Sequence, residues 1–500
     1  MHAARLNQDE TEGNGVNRGV ARKLVRLARL AHVIRVKITD EPFDYDVAII
    51  GGGSGGYAAA RTAANADLKT VVIEGGEEVG GLCILRGCMP TKALLFAAEI
   101  KHLAEHAETW GVRAEKISFD FEKVMARKNA LIKNFADYRH QQLAGGKFKF
   151  IRARAIFLDA NTLQLSNGET LRAKHFIIAT GSKIAPSPLP SLNDVGFLTS
   201  DSALKLERLP KSLIVLGGGA VAVEFAQFFE RFDVKITLIQ RSPHVLHEFD
   251  SAAARELEKV FRREGMDVFT GTKLLEAKHE NGLKEVSFEQ DRKIVRVKAE
   301  EIFFALGRVP NAASLGLEKI GVIIEHGRVA TNMQMQTSAP HIFAAGDCAG
   351  LHEIVHIAVQ QAETAAHNIA NPNQPREMDY RLLTEVIFTE PQIAAVGLSE
   401  KCAHAGNIPY LVASYPFNDH GKSLIMEAKD GFVKLLADPN SGEILGGSCV
   451  GPVGGELIHE IVATMSKRMT VHELAAMPHY HPTLAEIWTY PAEELAKQIG

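Results

Sequence analysis

Two segments of this sequence share one pattern, in which a short apolar strand runs into a glycine-rich turn that opens an apolar helix. The apolar strands cover residues 46–50 and 213–216. The small residues of the turns are Gly51, Gly53 and Gly56 in the first segment and Gly217, Gly219 and Ala222 in the second. This spacing lets the chain turn sharply and lets backbone N–H groups approach a pyrophosphate. A chain that carries the pattern twice is predicted to be an α/β protein with two nucleotide-binding domains.

The residue that ends the following strand differs between the two segments. Glu74 lies 23 residues after Gly51, where a carboxylate can accept hydrogen bonds from a ribose diol. The residue at the same distance from Gly217 is Gln240, and Arg241 follows it. Because a neutral side chain does not repel a ribose 2′-phosphate and an arginine can bind one, the second segment is predicted to favour NADPH, with NADH left open.

Composition excludes several other classes of protein. The chain has 500 residues, of which 46% are hydrophobic and 23% charged, as expected for a folded, soluble protein. Because 56 Lys and Arg nearly balance 60 Asp and Glu, the surface lacks the basic character of a general nucleic-acid-binding protein. Five cysteines are too few for a disulfide scaffold. We find no unbroken apolar run long enough to cross a bilayer and no cleavable leader, so we expect a cytoplasmic protein.

Changes of pattern divide the chain into five segments. Basic and apolar residues alternate at helical spacing over 18–37, which is typical of a solvated helix and would also allow weak docking on a partner or a membrane surface. Strand and helix alternation begins at Asp44, and a mixed strand and helix pattern follows Tyr380. The predicted segments are a basic extension (1–43), a first nucleotide-binding domain (44–192), a second one (193–312), a continuation of the first (313–380) and a C-terminal domain (381–500).

Cys83 and Cys88 lie just after the first nucleotide-binding pattern. Five steps along a regular helix advance about 7.5 Å, which exceeds the roughly 7 Å Cα separation that a disulfide allows, so the segment must bend if the pair is to close. Gly87 and Pro90 lie where a bend costs little, and Lys92 and the following helix N-terminus would lower the pKa of the Cys88 thiol. We therefore predict a redox-active pair and no metal site; a reduced structural pair is the alternative.

The remaining cysteines, which lack a partner at motif spacing, are predicted to be small buried residues: Cys348, Cys402 and Cys449.

His481 and Glu486 form the second candidate for chemistry. Thiol exchange needs a base that works near neutral pH, and imidazole supplies one. A carboxylate bonded to the other ring nitrogen would orient the imidazole and stabilise its charged form. The spacing of five residues in the segment His481–Glu486 is therefore interpreted as a base and its orienting acid.

These motifs occur in the order known from one enzyme family. They are Gly51–Gly56, Gly80–Lys92, Ala179–Ser182 with Thr180 and Gly181, Gly217–Glu224, Ala305–Asn311 with Gly307, Ala345–Cys348 with Asp347, and His481–Glu486. From about Asp44 to Ala496 the sequence resembles the FAD-dependent pyridine nucleotide–disulfide oxidoreductases, which include dihydrolipoyl dehydrogenase, glutathione reductase and mercuric reductase. The resemblance implies two Rossmann-like domains, for FAD and NAD(P), and a C-terminal α+β dimerisation domain.

The resemblance also implies roles for individual residues. Cys83 and Cys88 would form a disulfide that passes electrons between the flavin and a dithiol or disulfide substrate. Lys92 and Glu224 would form an ion pair near the isoalloxazine ring, and Asp347 would bind the ribityl or phosphate part of FAD. In a homodimer, His481 would reach the disulfide of the other subunit. Thr180 and Gly181 at the crossover between the domains, and Gly307, would also contact the cofactors.

Among the branches of the family, the dihydrolipoyl dehydrogenases resemble this chain most, through Tyr57 and the segment Met465–Glu473. Arg86 places a charge beside the cysteine pair that this branch does not usually carry. A mercuric reductase is the first alternative, although the chain lacks the vicinal cysteines of that branch at its C-terminus. A glutathione reductase is the second alternative, and a non-catalytic flavoprotein subunit is a third.

Overall fold

The structure is a computed structural model and describes residues 42–350 and 352–500; the predicted basic helix at 18–37 lies outside these ranges. The strands are β1 Tyr45–Ile50, β2 Thr70–Glu74, β3 Lys149–Arg152, β4 Ala155–Asp159, β5 Thr162–Leu165, β6 Thr170–Ile178, β7 Ser182–Ile184, β8 Ser212–Leu216, β9 Lys235–Ile239, β10 Asp267–Phe269, β11 Lys273–Glu280, β12 Leu283–Gln290, β13 Lys293–Ala299, β14 Glu301–Phe304, β15 Arg308–Pro310, β16 Ile324–Glu325, β17 Arg328–Val329, β18 Ile342–Ala344, β19 Thr384–Ile387, β20 Gln392–Gly397, β21 Leu411–Pro416, β22 Phe432–Ala437 and β23 Ile444–Gly451. The α-helices are α1 Ser54–Asn65, α2 Gly81–Leu85, α3 Cys88–Glu105, α4 Phe121–Ala144, α5 Pro190–Val195, α6 Ser200–Ala203, α7 Ala220–Glu230, α8 Ser251–Arg263, α9 Val355–Ala370, α10 Glu400–Gly406, α11 Gly421–Ile425, α12 Gly454–Ser466, α13 Val471–Ala476 and α14 Thr489–Ile499.

The first nucleotide-binding domain is built on a largely parallel sheet. Its strands run in the order β3-β2-β1-β6-β5-β4, and β18 pairs with β6 in parallel. The apolar residues of β1 and β2 are buried, as expected for parallel strands that are covered on both faces. Because β18 belongs to this sheet, the chain returns to the first domain after completing the second.

The second nucleotide-binding domain repeats this arrangement on a smaller scale. Its parallel sheet has the order β10-β9-β8-β14, and a three-stranded antiparallel sheet, β11-β12-β13, is added to it. β8 pairs with β9 and β14 as β1 pairs with β2 and β6, so both glycine turns leave the carboxyl end of a central strand. Ligands of open α/β sheets bind at this edge.

The C-terminal domain combines an antiparallel sheet with helices. The sheet has the order β19-β20-β23-β22-β21, and α12 packs against β20 and β23. Trp488 is fully buried in the core between the sheet and the helices, where its indole N–H donates to the Leu457 carbonyl at 3.1 Å. The fold is therefore the predicted one, with two Rossmann-like domains and a C-terminal α+β domain.

One helical stretch, Gly81–Glu105, is long and apolar enough to cross a membrane by length and composition alone. The search for unbroken apolar runs missed it because charged residues interrupt it. It contains the cysteine pair and Lys92, whose ammonium group is paired with a carboxylate of the second domain. We therefore assign this stretch to the candidate site and not to a membrane.

Candidate active site

The glycines of the first turn pack directly against neighbouring backbone carbonyl groups. Gly51 has a φ of 112°, and a Cβ atom there would lie 2.3 Å from the Ala179 carbonyl oxygen. A Cβ on Gly56 would lie 1.8 Å from the Gly51 carbonyl oxygen, so only glycine fits at either position. α1 begins after Gly53, which has no side chain to cap the helix, so its first N–H groups can bind an anion.

Glu74 is fixed beside this turn. Its carboxylate accepts from the backbone N–H of Gly52 at 2.8 Å and from that of Gly76 at 2.6 Å. A carboxylate has about four acceptor positions, so it can still bind a ribose diol. The turn, the open helix end and Glu74 together fit the adenosine and pyrophosphate parts of FAD.

The second turn has the same geometry with a different side chain at the strand end. Gly217 also has a φ of 112°, and a Cβ there would lie 2.3 Å from the Ala305 carbonyl oxygen. Gln240 is buried, and its amide carbon lies 2.9 Å from where a Cβ of Gly218 would stand. Its side-chain oxygen accepts from the N–H of Arg241 at 2.9 Å, while Arg241 itself is exposed. The neutral side chain of Gln240 and the exposed guanidinium group of Arg241 therefore lie where a nicotinamide dinucleotide would place its ribose. The two other small residues of this turn, Gly219 and Ala222, lie at the start of α7.

A series of hydrogen bonds that includes Asp347 links the segments at the crossover between the two nucleotide-binding domains. The Ser182 hydroxyl donates to Asp347 at 2.7 Å, and the Arg308 guanidinium donates to the same hydroxyl at 2.8 Å. Thr180 and Gly181 precede Ser182 and are tied to Asn311 through their carbonyl groups. Gly307 has a φ of 116° directly before Arg308, so the motif positions at 179–182, 305–311 and 345–348 meet in one place.

The cysteine segment is bent as the spacing argument required. α2 ends at Leu85 and α3 begins at Cys88, so the two cysteines lie on separate helices. Gly87 between them has φ −125° and ψ −115°, and a Cβ on it would lie 3.2 Å from the Cys83 Cα atom. Pro90 falls in the first turn of α3, where its missing N–H costs nothing.

The two thiols affect each other's ionisation in opposite directions. The hydrogen bond from Cys83 and the nearby Lys92 ammonium group together lower the pKa of Cys88 to about 7, against the opposing effect of burial. The same hydrogen bond, together with burial, raises the pKa of Cys83. The negative charge of the reduced pair therefore lies on Cys88, on the side of Lys92.

Lys92 is held by contacts from two other domains. Its ammonium group lies 2.8 and 3.0 Å from the two carboxylate oxygens of Glu224 in α7, as predicted, and 4.6 Å from the centre of the Phe388 ring. Glu224 is buried and also accepts from the backbone N–H of Phe388 at 2.9 Å. The sequence analysis missed Phe388, because it lies in no motif and reaches the site only through the fold.

His481 and Glu486 form the predicted pair. The Nδ1 atom of His481 lies 3.0 and 3.2 Å from the two carboxylate oxygens of Glu486. The His481 side chain is 78% exposed, whereas that of Glu486 is 11% exposed. The exposed imidazole is thus held by a buried acid through Nδ1, which leaves Nε2 on the opposite side of the ring.

The prediction for the three other cysteines is correct for two of them. Cys348 and Cys449 are fully buried, but Cys402 is exposed. It lies in α10, where the N–H of Cys402 donates to the Ser399 hydroxyl that caps the helix. Cys402 was therefore wrongly predicted to be buried, because spacing says nothing about which side of a short helix faces solvent.

Comparison with known families gives the same picture over most of the chain. The family described as pyridine nucleotide-disulphide oxidoreductase matches residues 45–362. Its dimerisation domain matches residues 383–492.

Individual relatives and solved structures agree with this result. The dihydrolipoyl dehydrogenase of Thermus scotoductus is 38% identical over 91% of this chain and 98% of its own length. That of Bacillus subtilis is 35% identical over 89% of this chain and 96% of its own length. The LpdA structure from Mycobacterium tuberculosis has a TM-score of 0.80 at 27% identity and covers 90% of this chain and 99% of its own. The flavoprotein disulfide reductase RclA from Escherichia coli has the same fold, with a TM-score of 0.80 at 24% identity over 90% of this chain and 99% of its own.

Proposed function

Because the chain belongs to the pyridine nucleotide-disulphide oxidoreductase family and is an FAD-dependent disulfide oxidoreductase of the dihydrolipoyl dehydrogenase type, we propose that its substrate is a dihydrolipoyl dithiol. The observation that carries this proposal is the bend that brings Cys83 and Cys88 together on separate helices, beside the Lys92–Glu224 ion pair, where the pKa of Cys88 is lowered and that of Cys83 is raised. Such a pair has one thiol to exchange with a substrate and one thiolate to hold charge. The similarity to dihydrolipoyl dehydrogenases over about nine-tenths of the chain supports the choice of substrate.

The residues of the chain divide the work of thiol exchange. In the oxidised pair, a substrate thiolate would attack the Cys83 sulfur, so that a mixed disulfide forms and Cys88 leaves as the thiolate. The second substrate thiolate would then attack the substrate sulfur of that mixed disulfide, which closes the substrate disulfide and releases Cys83 to take up a proton. The Lys92 ammonium group, fixed by Glu224, would stabilise the Cys88 thiolate. His481 of a second subunit would take the proton released by the substrate thiol, and Glu486 would hold its ring with Nε2 facing outward. When bound, FAD supplies two-electron transfer between this dithiol and the nicotinamide.

The groups that would hold the cofactors follow from the two turns. Gly51, Gly53, Gly56 and Glu74 would bind the dinucleotide part of FAD, and Asp347 would bind its ribityl or phosphate part. The second turn, with Gln240 and Arg241, would bind NAD(P)H. The neutral Gln240 supports the use of NADPH alongside NADH, which sets this chain apart from a dehydrogenase restricted to NADH.

A substrate panel tests the proposal. The holoenzyme should oxidise dihydrolipoamide with a pyridine nucleotide, and reduce lipoamide in reverse, faster than it reduces glutathione disulfide or Hg(II). Preferential turnover of Hg(II) or of glutathione disulfide would assign the chain to one of the other branches. No turnover of any of these substrates by FAD-loaded dimer would indicate a non-catalytic subunit. The Cys88→Ser variant is the control, because it should lose both turnover and the long-wavelength absorption that forms on two-electron reduction.

We also propose that the enzyme works in the cytoplasm. A dithiol pair that must cycle through its reduced form suits a compartment that keeps thiols reduced. Cell fractionation with an antibody to the chain tests this, and recovery in the periplasmic or secreted fraction would contradict it.

A further inference from the structure

The Glu486 carboxylate lies between two imidazole rings, and the motif analysis identified only one of them. On one side it binds the exposed ring of His481. On the other side, the Nε2 atom of His420 lies 3.4 Å from Glu486 Oε1. The His420 side chain is fully buried. A buried histidine that directs a ring nitrogen at the acid of the dyad is unexplained by the proposed function so far.

The position of the His420 ring is fixed by its surroundings. Its backbone carbonyl accepts the first hydrogen bond of α11, and its Nδ1 atom lies 2.8 Å from the hydroxyl of Ser423, which is also buried. The rings of Phe417 and Tyr490 meet it edge-on, with centroids 6.5 and 6.3 Å away. The ring therefore cannot turn away from Glu486 without disturbing this packing.

Burial decides the protonation state of His420. Loss of solvent lowers its pKa, and this effect outweighs the opposing attraction of Glu486, so the ring is neutral at neutral pH. A neutral imidazole carries one N–H group, and a carboxylate can only accept. The tautomer that avoids placing two lone pairs together has its N–H on Nε2, toward Glu486, while Nδ1 accepts from the Ser423 hydroxyl.

The contact with Glu486 is long for a hydrogen bond, and Nε2 of His420 has no other partner among the described residues. An unpaired N–H in a buried place is costly, as is a buried carboxylate with too few donors. A small movement of Glu486 toward His420 would relieve both costs. From this geometry, and building on the proposed role of His481, we propose that His420 is a positioning residue: it is the second donor to Glu486 and holds that carboxylate in place for His481.

This role has a consequence for pH dependence. The titratable groups around His420 are Glu486 and His481 on the C-terminal segment and Tyr490 in α14; Asp419, next to it in the chain, is engaged by the Tyr415 hydroxyl. Without the donor from His420, fewer hydrogen bonds share the negative charge of Glu486, so that charge attracts a proton on the His481 ring more strongly. The acidic limb of the activity profile should therefore move to higher pH when the donor is lost.

Two substitutions separate positioning from packing. His420→Phe keeps an aromatic ring in the aromatic pocket but removes the donor. His420→Gln places an amide N–H near the position of Nε2. His175→Phe is the matched control, because His175 is a part-buried histidine whose pKa is also lowered by burial but which lies in β6, outside this domain.

The readouts are the pH profile of kcat for the holoenzyme and the pH profile of Cys83 alkylation by iodoacetamide in the reduced dimer. We expect His420→Phe to lower kcat about tenfold, with the acidic limb of both profiles moved to higher pH, and His420→Gln to restore most of the loss. The control should leave both profiles in place. The proposal is overturned if His420→Phe leaves both profiles unchanged, or if the Phe and Gln variants lose activity equally and in step with their melting temperatures.

The two readouts also separate this proposal from the proposed function. If the wild-type enzyme does not oxidise dihydrolipoamide while Cys83 alkylation still depends on His420 as described, the substrate assignment is wrong and the positioning role is supported. If dihydrolipoamide is oxidised normally by His420→Phe at every pH, the positioning role is wrong and the substrate assignment is supported.

Discussion

Removing the Cys83 thiol should raise the pKa of Cys88, because the hydrogen bond from Cys83 is the largest of the effects that lower it. In the intact pair the pKa of Cys88 is about 7, against an ordinary value of 9.0. At pH 7 about half of Cys88 is then thiolate, whereas a thiol of pKa 9 is only about one-hundredth ionised. Lys92 stays in place in a Cys83→Ala variant, so the thiolate fraction should fall to between about one-tenth and one-hundredth.

The assay is the thiolate absorbance at 240 nm as a function of pH. The reduced Cys83→Ala protein is compared with a Cys83→Ala/Cys88→Ser protein, so that the difference reports Cys88 alone. Cys449→Ala is the control, because burial raises the pKa of Cys449 and its loss should not change absorbance near neutral pH. If Cys88 still titrates near pH 7 without Cys83, then Lys92 and the helix N-terminus dominate and our ordering of the causes is wrong.

Three further predictions concern the rest of the site. Gly51→Ala should abolish FAD retention, measured by flavin absorbance after gel filtration, because its Cβ would strike the Ala179 carbonyl; Gly111→Ala, which has a φ of 73° but open space around it, should cost only about 1 kcal/mol and keep its FAD. Lys92→Met should lower the free energy of unfolding by about 3–5 kcal/mol because it leaves the buried Glu224 unpaired, and a Lys92→Met/Glu224→Leu double variant should recover most of that loss in urea titrations. Arg241→Ala should raise KM for NADPH much more than KM for NADH, and equal effects on both would contradict a 2′-phosphate site at Arg241.

The features that could be predicted from the sequence are those set by the spacing and chemistry of residues close together in the chain. The two glycine turns need residues that tolerate φ near 112° beside a carbonyl group, and only glycine does this, so Gly51 and Gly217 were identifiable from the sequence. The bend between Cys83 and Cys88 followed from helix geometry, since a straight helix would hold the two sulfurs apart. Resemblance to the family predicted the ion pair of Lys92 and Glu224. The two residues are distant in the sequence, but Lys92 Nζ lies 2.8 Å from Glu224 Oε2 in the structure.

The parts that could not be predicted depend on long-range packing. Phe388 contacts Lys92 because the C-terminal domain packs against the two nucleotide-binding domains. No local sequence pattern marks this residue. His420 and Glu486 belong to no common sequence motif. They come into contact only because the segment before α11 packs against the C-terminal helices. Cys402 was wrongly expected to be buried, because α10 is too short to show an apolar face in the sequence.

The distribution of exposure over the C-terminal residues has a functional meaning. A base that is 78% exposed would be a poor proton acceptor for a defined substrate if water surrounded it during turnover, yet its acid is buried and fixed. The same chain exposes the apolar side chains of Phe96, Ile100 and Leu103 along one face of α3, each at least half exposed. Both features make sense if another subunit covers them, and residues 383–492 match the dimerisation domain of the family. In the proposed function, the thiols lie on one segment and the base on another that comes from a second copy, so a substrate sulfur would meet a complete site only in the assembled dimer.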